Sequence, residues 1–231
     1  MLALLYDVHG NLPALEAVLS DAHERGAERY FIGGDVALFG PWPQETTTRL
    51  RDLEPATWIR GNGERWTADP GSAPEPVRGA TAAARAALGD ALVDELAGLP
   101  ESAPLDDRTR AWHGSPVSDV RSFYPEPGDD EAELLVGVSE PRLVFGHTHL
   151  PFARTSAVGA VELVNPGSVG MPFDGDHRAA YALLHRDGTI EQRRVAYDHA
   201  AIPAALRERY AGADWIAAPE YRFTHARLES A

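Results

Sequence analysis

An α/β chain with a β-rich second half is predicted by three observations. Residues 2 to 6, 30 to 32 and 56 to 60 are short apolar runs that each lead into a polar, glycine-containing loop. Helical patterns separate these runs, as expected where strands and helices alternate in one sheet. From residue 150 onward, turn signals recur every few residues with alternating stretches between them, which points to strands joined by tight turns.

The first run ends at Asp7 and is followed by a helix whose apolar face carries Leu12, Leu15, Val18, Leu19 and Ala22. Asn11 suits the N-cap, Pro13 the first turn and Gly26 the stop. The second run meets Gly33-Gly34-Asp35, with a helix expected over about residues 43 to 53. The third ends in Gly61-Asn62. Residues 75 to 98, rich in alanine and leucine, read as one or two helices broken near Gly89-Asp90. Residues 105 to 109 look like a hairpin leading to Trp112-His113, and a helix at about 130 to 139 precedes the apolar stretch 142 to 145. Residues 180 to 185 and 189 to 197 alternate as strands, a last helix is expected near 199 to 210, and a tail holds Trp215, Tyr221 and Phe223.

With 231 residues, 44% hydrophobic and 24% charged, the chain can bury a real core within one domain spanning residues 1 to 231. It has no cysteine, so disulfides, thiolate metal sites and cysteine nucleophiles are excluded. The apolar start is too short for a signal peptide or a membrane span, and a cytoplasmic protein is the expectation. The formal charge is −14, and all 21 basic residues are arginine. Such a field repels nucleic-acid backbones, so no stable nucleic-acid complex is expected.

Four histidines stand apart: His9, His113, His147 and His149 lie in glycine-bounded loops just after apolar runs. Together with Asp7, Asp35 and Asn62 they make seven nitrogen and oxygen donors, suited to divalent manganese, iron, zinc or nickel. Seven donors exceed one tetrahedral site. They fit two metals roughly 3.5–4 Å apart, the arrangement that clamps the attacking and leaving oxygens of a phosphoryl group. Gly34, Gly61 and Gly146, each before a donor, are expected to supply the sharp turns that aim these side chains.

Asp-x-His, Gly-Asp, Gly-Asn, His and Gly-His-x-His, in that order, resemble the calcineurin-like metallophosphoesterase superfamily, above all its small bacterial and archaeal members with an Asn-Pro-Gly-Ser segment, here Asn165-Pro166-Gly167-Ser168. The resemblance implies a four-layer αββα sandwich of two mixed β-sheets flanked by helices. It also implies that Asp7, His9 and His149 hold one metal, that Asn62, His113 and His147 hold the other, and that Asp35 bridges them. A water shared by the two metals, with manganese the first choice, would then attack phosphorus in line on a small, nucleotide-like phosphorylated substrate. No protein nucleophile is needed, and Gly167-Ser168-Val169-Gly170 lacks the strand-to-helix elbow of a serine hydrolase.

One position departs from the pattern. Many members carry a histidine where this chain has Gly63, and that histidine is assigned to protonate the leaving alkoxide. General acid catalysis is worth roughly 10²–10⁴-fold, so phosphodiesters with acidic leaving groups and nucleotide polyphosphates are expected ahead of alkyl phosphomonoesters. His177, in the acidic loop 174 to 178, is the candidate substitute acid. Two other readings compete. One is a non-catalytic scaffold, since the superfamily includes a retromer subunit that uses the fold for protein contacts. The other is a mononuclear zinc hydrolase, for which the helical His-Glu-x-x-His motif is missing.

Overall fold

The computed structural model describes residues 1–229. Its first sheet has the order β10-β9-β1-β2-β3, formed by β1 (Leu2–Leu5), β2 (Arg29–Ile32), β3 (Ala56–Trp58), β9 (Ala179–Leu184) and β10 (Ile190–Val195). β1, β2 and β3 run parallel, while β9 and β10 join antiparallel. The second sheet has the order β4-β5-β6-β8-β7, from β4 (Ser102–Pro104), β5 (Thr109–Trp112), β6 (Arg142–Val144), β7 (Phe152–Thr155) and β8 (Glu162–Asn165). Here β5, β6 and β8 are parallel and the two edge strands antiparallel. Both sheets are therefore mixed, as the resemblance implied.

Alternation along β1 shows how the layers form. Leu2, Leu4 and Tyr6 turn toward the second sheet and pack with Ala111, Val144 and Val164. Ala3 and Leu5 face the other way, against the apolar stripe of α1 (Leu12–Glu24), with Leu50 of α2 (Pro43–Arg51) behind it. The outer face of the second sheet is covered more thinly, by Phe123 and by Leu134 of the one-turn helix α6 (Glu131–Leu134) over Leu143, Phe145 and Leu163. α1 starts as expected: Asn11 Oδ1 accepts from the Ala14 N–H, Pro13 lies in the first turn and Gly26 follows the last one.

Three expectations need correction. The helix expected over 130 to 139 ends at Leu134, and Gly137, with φ +82°, follows just after it. A helix that was not expected, α3 (Asn62–Ala68), starts at Asn62 itself, ahead of α4 (Arg78–Leu88) and α5 (Asp90–Ala97). The aromatic tail, for which no element was named, forms α8 (Ala217–His225) after α7 (Ile202–Arg209), and its Phe223 is buried with Met171, Ile202 and Leu206. No helix among the described residues is long and apolar enough to cross a membrane.

Candidate metal centre

Each of the seven donors sits just beyond the carboxyl end of a parallel strand, where α/β sheets present their loops. Asp7 and His9 follow β1, Asp35 follows β2, Asn62 follows β3, His113 follows β5, and His147 and His149 follow β6. The loops are stitched together through the backbone. The Asp7 N–H donates to Gly34 O at 3.2 Å, the His9 N–H to Asp35 O at 3.0 Å, and the Gly146 N–H to His113 O at 2.8 Å.

The backbone solution differs from the one expected. Of the three glycines expected to make the turns, only Gly34 has positive φ. The donors themselves take the left-handed conformation: Asp7, His9, Asp35, His147 and His149 have φ between 50° and 68°. For a residue with a Cβ this costs roughly 1–2 kcal/mol, and such strain gathers where a site is built. Gly61 and Gly146 give clearance instead. A Cβ on Gly61 would stand 2.4 Å from Asp35 Oδ1, and one on Gly146 would stand 2.6 Å from Asp7 Oδ2.

All seven side chains converge. Asp7 Oδ1 lies 3.4 Å from His149 Nε2, 3.9 Å from His113 Nε2 and 4.0 Å from His9 Nε2. Asp35 spans the group, with Oδ1 3.5 Å from His113 Nε2 and Oδ2 4.0 Å from His9 Nε2. The Asn62 amide completes the set, one of its atoms lying 3.0 Å from His113 Nε2 and 2.8 Å from His147 Nδ1. Two triads have donor atoms close enough to share an ion, Asp7–His9–His149 and Asp7–Asp35–His113.

Whether these residues suit a cation is decided by their lone pairs. His9, His113 and His149 each place Nδ1 on a backbone carbonyl, of Leu38, Gly33 and Met171, at 2.9, 2.8 and 2.5 Å. A carbonyl only accepts, so Nδ1 carries the proton and Nε2 presents a lone pair. Two such lone pairs, on His9 and His149, then face each other at 3.1 Å. Asp7 Oδ1 is buried with no hydrogen-bond partner. Acceptors turned on one another without a donor are costly in a protein interior, and a divalent cation removes the conflict. The donor set fits.

The electrostatics agree. Burial alone would raise the Asp7 carboxyl, but the surrounding rings of His149, His113 and His9 hold it below the ordinary carboxylate range. Asp35 moves the other way: burial, opposed by His113 and reinforced by the charges of Glu64 and Asp7, pushes it up to about 7. Burial, helped by neighbouring imidazoles, pulls His9 down to about 3 and His147 down to about 4. Burial thus favours the neutral form of His9 and His147, the form a ligand takes, whereas His113, against the pull of burial, is raised by the Asp35 and Asp7 carboxylates beside it.

His177 is not brought to this cluster. Its Nε2 is bonded to Thr224 O at 3.0 Å, its ring stacks on His199, and it does not line the cavity at the centre. Its neighbour Arg178 pairs with Asp176, as an ordinary loop salt bridge.

Residues that the sequence did not mark as functional hold the donors in place. Glu64 is buried, and its carboxylate accepts from the Asp35, Val36 and Gly61 N–H groups at 2.9, 2.9 and 2.7 Å. It thereby locks the loop after β2 to the start of α3. The available signal was the Gly-Asn-x-Glu spacing, which places a carboxylate three residues into a helix, where it reaches back to the cap. The Asn-Pro-Gly-Ser segment acts likewise. Asn165 donates to Gly146 O and Thr148 Oγ1, and Ser168 Oγ donates to Asp7 O. Glu64→Gln leaves one backbone N–H facing an amide NH2, and should lower stability by about 2 kcal/mol. Denaturant unfolding of the variant checks this.

The model of the calcineurin-like phosphoesterase superfamily domain matches residues 1–189. A curated relative, Phosphodiesterase YfcE of Escherichia coli (strain K12), is 30% identical over 200 residues, covering 81% of this chain and 89% of that protein. The uncharacterized protein MJ0912 of Methanocaldococcus jannaschii is 29% identical over 220 residues, covering 86% and 88%. Among solved structures, a metallophosphoesterase from Sphaerobacter thermophilus superposes with a TM-score of 0.81 at 28% identity, covering 97% of this chain and 98% of that one.

Proposed function

The chain belongs to the calcineurin-like phosphoesterase superfamily, and on that premise we propose that it is a binuclear-metal-dependent phosphoesterase acting on phosphodiesters or nucleotide polyphosphates. In this reading Asp7, His9 and His149 hold one ion, Asn62, His113 and His147 the other, and Asp35 reaches both. The observation that carries it is the convergence of seven nitrogen and oxygen donors whose lone pairs lack donors of their own. Two divalent ions bound there, manganese foremost, would supply positive charge for the phosphoryl oxygens and an acidified water for in-line attack.

The remaining work falls to the chain. The carbonyls of Leu38, Gly33 and Met171 fix the tautomers of His9, His113 and His149 and keep each Nε2 directed inward. Glu64 fixes the height of Asp35. Gly63 donates its backbone N–H to Asp35 Oδ1 at 2.6 Å and offers no side chain to protonate a leaving group. With His177 engaged elsewhere, the geometry supports substrates whose leaving group needs no acid. The relative named a phosphodiesterase supports the diester half of this reading.

A substrate panel with manganese tests it. Aryl phosphodiester and dinucleoside polyphosphate should turn over faster than an alkyl phosphomonoester by about 10²-fold or more. A faster phosphomonoester rate would overturn the proposed selectivity, and no hydrolysis of any member would overturn the function. A pH dependence follows from Asp35. Below about 7 its proton competes with the ions, so manganese affinity should climb with pH to about that value and level off above it. Calorimetric titrations at fixed pH values measure this, and a flat profile would contradict the assigned role of Asp35.

A further inference from the structure

The cavity at the donor cluster is about 480 Å³ and has two unlike ends. One is the cluster itself, with His9, Asp35, Asn62, His147 and His149 in the wall. The other is apolar and aromatic, lined by Phe39, Trp66, Val77 and Phe173. Into this second end α8 delivers Arg222.

Arg222 is built into place rather than left on the surface. Its neighbour Phe223 is buried and anchors the helix against Met171, Ile202 and Leu206. The guanidinium lies 5.4 Å from the Phe39 ring centre and 6.0 Å from that of Phe173. Those two rings rest in turn on the proposed ligands. Phe173 stacks on His149 at 4.2 Å and 16°, and Phe39 lies 5.7 Å from His9. Arg222 is thus held one ring layer outside the His9–His149 pair.

What it lacks is an anion. Most arginines of this acidic chain have a carboxylate within 4.0 Å, but among the described residues the Arg222 guanidinium has neither such a partner nor a hydrogen bond. Burial lowers its pKa below the ordinary arginine value and the charge of Glu229, more than 4.0 Å away, offsets this only in part, the mark of a cation partly stripped of water and incompletely compensated. Its N–H groups make no hydrogen bond among the described residues, and a guanidinium fork matches a phosphate in bidentate geometry.

We propose that Arg222 is a specificity-determining residue that binds a second, non-reacting phosphate of the substrate, so that the cleft takes an organic diphosphate whose aromatic body lies along Phe39, Trp66 and Phe173. This rests on the phosphoesterase reading above. α8 lies beyond residues 1–189, the part matched by the family model, so the selectivity belongs to the C-terminal segment rather than to the ligand motifs.

Equilibrium binding to the manganese-loaded protein, read by calorimetry without turnover, tests the proposal. The probes are α,β-methylene-ADP, whose bridge resists hydrolysis, and AMP. Wild type should bind the diphosphate about tenfold more tightly than the monophosphate, and Arg222→Met should bring the two within about twofold. Arg222→Lys, which keeps the charge but not the fork, should retain part of the preference. Arg222→Gln gives the same comparison if the methionine variant does not fold. A wild type that does not distinguish the ligands overturns the proposal, as does a variant that keeps the full preference or weakens both ligands equally. Failure of wild type to bind manganese would instead overturn the metal-centre reading, a result visible in a separate titration.

Discussion

Asp35→Asn is expected to lower hydrolysis of an aryl phosphodiester by about 10³-fold or more and to weaken metal binding at the same time. The reasoning is local. Asp35 Oδ1 accepts the Gly63 N–H at 2.6 Å while facing His113 Nε2 at 3.5 Å, and Oδ2 faces His9 at 4.0 Å. Asparagine keeps the shape and one acceptor oxygen, but it turns the other position into a donor and removes the negative charge between the two proposed ion positions. Charge stabilisation by a metal pair is worth several kcal/mol, and each 1.36 kcal/mol is about tenfold in rate. The fold should survive, because Glu64 independently holds the Asp35 and Val36 backbone. Steady-state kinetics together with thermal melting check both halves. Intact hydrolysis in a folded Asp35→Asn protein would remove the mechanism.

Chelation should have the second large effect, on stability. Without ions the centre buries the Asp7 and Asp35 carboxylates among facing lone pairs, and five of its residues keep their left-handed backbone. An ion that binds only the folded chain at about a hundred times its Kd adds about 2.7 kcal/mol. In a chain of this length that corresponds to roughly 5–10 °C in melting temperature per ion. Calorimetric scans with and without a chelator, and after restoring manganese, should show the loss and its recovery. An unchanged melting temperature would mean that the cluster tolerates its unpaired acceptors by other means.

How much of this was legible in the sequence can be judged residue by residue. The strands carrying Asp7, Asp35, Asn62, His113 and His147 were readable because each is an apolar run cut off sharply by glycine and polar residues, a pattern set by burial on both faces. α1 was readable from its cap and stripe. The seven donors could be named because their spacing is local to those strand ends, whereas their convergence depends on both sheets and was expected from the donor set taken together and from the resemblance.

The parts that escaped depend on tertiary contact. Gly61-Asn62-Gly63-Glu64 reads as a loop, because two glycines disfavour a helix. Glu64 overrides that by binding three N–H groups, two of them from another strand's loop. α8 was hidden because its face is defined by aromatic partners from residues 39 and 173 rather than by its own weak periodicity. The left-handed donors were invisible for the same reason, since their conformation is imposed by neighbouring loops such as Gly34 and Gly146 and not by local preference. His177 looked suggestive in its acidic loop, but Thr224 and His199 of the C-terminal segment claim it.

Seven donors in one binuclear centre should hold two ions in the folded protein. Elemental analysis of the folded protein, equilibrated with manganese and freed of excess by gel filtration, tests this most directly. About two ions per chain are expected, with Asp35→Asn retaining markedly fewer. One ion per chain in wild type, unchanged by Asp35→Asn, or none at all, would contradict a binuclear centre.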